Sequence, residues 1–273
     1  MVLLLLLGAA LVAAAVIFWH PQWRRRRLLC KPFPQTWRDI LEQCIALYPW
    51  LAPSERTQLQ DLVRLFLAEK QFHGCAGLQV TEEMRVVIAA QACLLLLNRR
   101  TGIYPQLAHI LLYPGTFLHR GEQLNEDGTV SEVAEERLGE SWHEGKVILS
   151  WYDVLQDLEQ PDDGYNVVLH EFAHQLDAES GSENGTPPLR HDMVSEWVAV
   201  MTPEYEALGE AAARSKETFL DPYAATTPAE FFAVLTETFF ELPDELKHFH
   251  PGLFAQLLRF YQTDPRRWYP PKA

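Results

Sequence analysis

The spacing of apolar positions changes along this chain, and the changes outline its elements. From Trp37 to Leu47 the residues Trp37, Ile40, Leu41, Cys44 and Ile45 recur at helical period, and Pro49 ends the run. Ser54 can cap a second helix reaching to about Phe72, with Leu59, Leu62, Val63, Phe66 and Leu67 on one face. A third helix, over about 82–98, carries Val86 to Ala90 and Leu94 to Leu97; it is apolar nearly all round and belongs in the core. Then the runs shorten. Ile110 to Tyr113, before Pro114, and Val147 to Trp151, after Gly145, read as strands, and the charged stretch Glu122 to Glu140 between them reads as a loop or hairpin tip. Beyond Gly164 the helical period returns, near 165–178, 190–213, 228–241 and 251–261. These patterns predict an α+β fold, mostly helical, with a small β-sheet in its middle.

The first residues stand apart. Val2 to Trp19 contains no charge and as a helix reaches about 27 Å, close to the hydrocarbon thickness of a bilayer. Trp19 and Trp23 suit an interfacial belt, and Arg24 to Arg27 follow the apolar run, whereas a secretory signal carries its positive charge before it. The expectation is one uncleaved transmembrane helix over 1–20 in the cytoplasmic (inner) membrane. A basic linker over 21–35 would lead to a cytoplasmic domain over 36–265 and a tail over 266–273.

Composition narrows the function. At 48% hydrophobic and 11% aromatic, the chain can bury a substantial core. Its net charge of −14, with no Lys/Arg cluster outside 24–27, argues against direct nucleic-acid binding. Cys30, Cys44, Cys75 and Cys93 lie scattered without a close-spaced pair, so they read as reduced thiols and not as a structural zinc site.

The chemistry centres on Tyr165-Asn166-Val167-Val168-Leu169-His170-Glu171-Phe172-Ala173-His174-Gln175-Leu176-Asp177. Residues four apart share a helix face, so His170 and His174 can aim two imidazoles at one ion. Glu171, beside the first, can act as general base on a water activated by zinc. The short motif arises by chance in many helices, but its apolar setting makes unpartnered imidazoles costly. A catalytic zinc, one per chain, needs a third protein ligand. Asp177 lies one turn on and suits orienting a ligand histidine better than binding the ion itself. Downstream, Thr227 and Pro228 open a helix in which Glu230 is either the far half of a Thr-x-x-Glu capping box or the ligand. The apolar run Phe231 to Leu235 and the position of Glu237, seven residues on along the same face, favour Glu230 as ligand with Glu237 behind it.

Several stretches together carry a family resemblance. They include Glu69-Lys70-Gln71-Phe72, Ile88 to Cys93, Val168 to Asp177, Pro222-Tyr223-Ala224-Ala225, Pro228 to Ala233 and the later Glu237. Over roughly 36–265 the chain resembles the Mlc titration factor A family of bacterial zinc peptidases, whose catalytic core is similar to that of anthrax lethal factor. The resemblance implies a zincin-like, gluzincin-type metallopeptidase with His170, His174 and Glu230 on zinc, Glu171 as base, and Tyr223 donating to the oxyanion. It suggests aminopeptidase action on peptide or protein substrates, with the strand Val147 to Trp151 as the edge along which a substrate pairs. It also supplies an alternative, a regulatory protein that titrates a transcriptional repressor. The apolar N-terminus departs from the better-known members. The loop Ser180 to Arg190 reads as a connection in preference to a lid.

Overall fold

The computed structural model describes residues 22–99, 101–115, 122–124, 130–132 and 145–269. The expected membrane helix over 1–20 lies outside them, and among the described residues no helix is long and apolar enough to cross a membrane. The basic stretch expected as a linker is helical over 22–29 (α1). It lies along the next long helix: Arg25 pairs with Glu69 at 2.7 Å, and the Leu28 carbonyl accepts from Arg64.

The helical expectations are met with shifted ends. Helix α2 spans Gln35–Cys44, α3 Pro53–Glu69 and α4 Glu82–Leu94. Helix α3 opens at Ala52 instead of Ser54, because Pro53 fills its first position and Glu55 returns to the Ala52 N–H at 3.0 Å. It also stops short of Phe72. Gln71–Gly74 forms a strand, β1, that pairs in parallel with β2, His109–Tyr113. Only that distant partner makes these residues extended, so local periodicity could not reveal it. Helix α4 is buried from Val86 to Leu94 and packs against α2 and α3.

The sheet runs β1-β2-β5, all parallel, with β5 at Lys146–Ser150. Between β2 and β5 lies a short antiparallel pair, β3 (Glu122–Leu124) and β4 (Val130–Glu132). Trp151, expected to end the last strand, instead begins α5, Trp151–Glu159, since the Ser150 hydroxyl accepts from the Asp153 N–H at 3.2 Å and caps a new helix. On the inner face of the sheet Ile110, Leu112, Val147 and Leu149 are buried, and β5 packs against α6, Val167–Ala178. Helices α7 (Val194–Ala213), α8 (Pro228–Glu241), α9 (Pro243–Phe249) and α10 (Pro251–Tyr261) complete the order. Helix α9 was not signalled by its sequence: it is short and opens on a proline. The site rests on α6 and α8, which pack face to face.

Candidate metal centre

Helix α6 begins where it does because Asn166 caps it, its side-chain oxygen accepting from the Leu169 N–H at 3.0 Å. Other donors of that first turn are taken by carboxylates. Val167 N–H donates to Asp157 at 2.7 Å, and Asn166 donates its backbone N–H to Glu237 at 2.6 Å and its amide to Glu241 at 3.0 Å. The positive end of the helix therefore meets acids from α5 and α8, which fixes the rotation of α6 and with it the direction of His170.

His170 Nδ1 lies 2.7 Å from Glu237 Oε1. That bond assigns the ring proton to Nδ1 and leaves the Nε2 electron pair facing outward. Nε2 is 3.2 Å from His174 Nε2 and 3.0 Å from Glu230 Oε2, and His174 Nε2 is 3.5 Å from the same oxygen. Three ligands held at about 2.0–2.1 Å by one tetrahedral ion would be about 3.3 Å apart. Glu230 Oε2 is buried with only the two imidazole nitrogens close to it among the described residues, a place suited to a cation between the three atoms. Among the described residues His170, His174 and Glu230 are the one group of three that could hold a metal ion.

Glu230 reaches this point because half of its capping box forms. Thr227 accepts from the Glu230 N–H at 3.1 Å, and the glutamate carboxylate turns toward the imidazoles. Burial alone would push that carboxyl up, but His170 and His174 outweigh it and hold Glu230 far below the usual range. Burial likewise works against charge on His170, yet Glu230 and Glu237 raise its pKa well above the ordinary value. Such a proton would have to leave when a metal binds.

The other candidates fall into place around this group. Glu171 is partly exposed beside His170. Tyr223 sits on a 3₁₀ turn, Pro222–Ala225, with its ring centroid 6.3 Å from that of His170. Asp177 makes no hydrogen bond to His174: Asp177 Oδ1 and His174 Nδ1 are both buried without partners. Its other oxygen instead accepts from the Gly185 N–H at 2.6 Å. Gly185 has φ +74°, and a Cβ there would stand 2.2 Å from the Pro228 carbonyl oxygen. The Ser180–Arg190 loop is thus held at Gly185 between the end of α6 and the start of α8, as a connection would be. Sequence reasoning assigned no role to Asn166, Asp157 or Glu241. Asn166 immediately before an apolar helix is a readable cap signal, and Glu241 extends the Glu237 stripe by one turn, but Asp157 gave no sign.

Two imidazoles four residues apart and a carboxylate from a second helix form a group that could hold one metal ion, with a glutamate beside the first imidazole. The chain belongs to the glucose-regulated metallo-peptidase M90 family, whose model matches residues 20–262. It is 42% identical to an uncharacterized protein of Synechocystis sp. over 97% of this chain and 96% of that one. It is 33% identical to Mlc titration factor A of Klebsiella pneumoniae, over 85% of this chain and 92% of the relative. With its counterpart from Serratia proteamaculans the identity is 32%, covering 84% and 87%.

Proposed function

We propose that this protein is a zinc-dependent peptidase. The observation that carries the reading is the convergence of His170 Nε2, His174 Nε2 and Glu230 Oε2 within 3.0–3.5 Å, with Glu171 adjacent on the same helix. Bound zinc supplies Lewis acidity, polarising a carbonyl and bringing the pKa of a water near 7. Glu171 takes the proton from the attacking water and returns it to the leaving amine. The Tyr223 hydroxyl donates to the oxyanion that forms on the scissile carbonyl. Glu237 keeps the His170 ring oriented. The side of β5 away from β2 carries no strand among the described residues, so an extended peptide can pair there. Aminopeptidase action rests on the family resemblance alone.

The relatives' name, Mlc titration factor A, supports a second reading, in which the protein titrates a transcriptional repressor, Mlc or its counterpart. Catalysis needs Glu171; titration does not. The apolar, Arg-flanked N-terminus supports a location at the cytoplasmic membrane with the site in the cytoplasm.

The test is made on the full chain in detergent: bound zinc is quantified, and hydrolysis of free and N-acetylated peptides is compared for wild type and Glu171→Gln. One zinc per chain, a loss of about 10²–10⁴-fold in the variant, and cleavage only of free N-termini are expected. Zinc without hydrolysis in the wild type would shift the reading to titration, and no zinc would end it.

A further inference from the structure

Tyr165 stands just before α6, and its loop is pinned on every side. Gly164 N–H donates to Glu241 at 3.2 Å, Tyr165 N–H to Asp163 at 2.9 Å, and Asn166 N–H to Glu237 at 2.6 Å. The backbone direction of Tyr165 is therefore set by α8, the helix that also carries Glu230. Tyr165 is 54% exposed, so packing does not explain where its ring points. What holds it is the hydroxyl, which donates to Asp221 Oδ2 at 2.8 Å across 56 positions of sequence. The other oxygen of the same carboxylate accepts from the Tyr223 N–H at 2.7 Å and caps the turn that presents Tyr223.

Asp221 is thus shared between the loop that opens the His170/Glu171 helix and the turn bearing the tyrosine 6.3 Å from His170. We propose that Tyr165 is a positioning residue for Tyr223, acting through Asp221, which locks the tyrosine-bearing turn to the helix carrying His170 and Glu171. Without the Tyr165 hydroxyl, Asp221 still caps the turn but loses its tether to the loop, and Tyr223, though still packed on the core, can shift from the place where the oxyanion forms. A donor aimed at the oxyanion acts in the transition state and little in substrate binding, so the loss falls on kcat and not on KM. The bond to Asp221 is strong enough, with burial adding to it, to push the Tyr165 phenol up to about 12; the hydroxyl stays a donor through the working pH range.

This inference rests on the peptidase reading and on the role of Tyr223 within it, so the experiment separates the three. The full-length zinc-loaded chain is made as wild type, Tyr165→Phe, Tyr223→Phe and the double variant. Zinc content, melting temperature, peptide hydrolysis and the Kd of a phosphinic pseudopeptide are measured for each. The phosphinic group presents a tetrahedral oxygen in place of the oxyanion, and its binding does not depend on turnover. Tyr223→Phe is expected to lower kcat by about 10²–10³-fold. Tyr165→Phe should lower kcat by about tenfold and weaken the phosphinic ligand by a similar factor, with KM, zinc and melting temperature unchanged. In the Tyr223→Phe background the same substitution should change nothing. Equal losses in both backgrounds, a loss confined to KM, or no loss at all overturns the proposal. An unaffected Tyr223→Phe enzyme would instead remove Tyr223 from the mechanism, and this inference with it.

Discussion

Glu230, Glu237 and Glu241 lie on the side of α8 that faces α6, yet the two ends of that helix treat a buried carboxyl in opposite ways. Burial opposes charge on all three. At the first, the two imidazoles overcome burial and hold the carboxyl far below its usual range. At the second, one imidazole and one backbone N–H do not suffice, and Glu237 is raised. At the third, only amide donors are present; burial, joined by the neighbouring acids Glu237, Asp163 and Asp157, pushes Glu241 to about 9. One helix therefore offers a committed negative charge at the metal end and a proton-holding acid at the other. The difference teaches that partners, and not burial alone, decide which carboxylate can serve as a ligand.

The most direct way to break this comparison is to remove the committed charge. In the proposed zinc site Glu230→Gln should lower zinc affinity by well over 100-fold, measured by competition with a chromophoric chelator, because there it deletes a ligand atom and leaves two imidazoles alone. Glu237→Gln should cost about tenfold, at the low end of the range for a group that orients a ligand, since the amide oxygen can still accept from His170 Nδ1. Equal effects from the two variants would erase the distinction between the ends of the helix.

Gly185 tests whether the metal end depends on its surroundings. A Cβ at 2.2 Å from the Pro228 carbonyl oxygen, at φ +74°, cannot be accommodated without moving the start of α8. Gly185→Ala should destabilise the fold by about 1–3 kcal/mol in a denaturant titration and weaken zinc binding as Glu230 shifts. A variant as stable as the parent with unchanged zinc affinity would show that α8 begins independently of the loop.

What the sequence made legible follows the range of the interactions. His170, Glu171 and His174 share one helix, and their spacing carries their meaning. Glu230 was open to two readings, ligand and capping box, because both use the same Thr-x-x-Glu letters; the packing of α8 on α6 is what brings its carboxylate to the imidazoles. The strand β1 was not legible, since Gln71 to Gly74 extend only because β2 lies beside them. The bonds that join Asp157 to Val167 and Tyr165 to Asp221 cross loops and leave no periodic trace. Asp177 has the right spacing for His174, yet the bond that forms is to the Gly185 N–H, and its second oxygen and His174 Nδ1 stay without partners.

The smallest effect belongs to the far end of the stripe, and its sign follows from linkage. In the unfolded chain Glu241 titrates near 4.5, and in the folded one burial raises it to about 9. Between those values the native state holds a proton that the unfolded state has lost, so this group's contribution to stability declines as pH rises across that window. Asp157, raised to about 7 chiefly by burial, acts in the same direction at lower pH. The slope from one such group is at most about 1.4 kcal/mol per pH unit. Glu241→Gln cannot ionise, keeps the acceptor for Asn166 and loses the one for the Gly164 N–H. Below about pH 4.5, where the folded and unfolded wild type both hold the proton, the variant should be less stable by about 1 kcal/mol, the value of one buried hydrogen bond. From there toward pH 9 the wild type should lose stability faster, so the two denaturation midpoints cross about one pH unit above 4.5 and the variant becomes the more stable of the two. Parallel midpoints over pH 6–9 would mean that Glu241 is ionised throughout, and the contrast between the two ends of α8 would be gone.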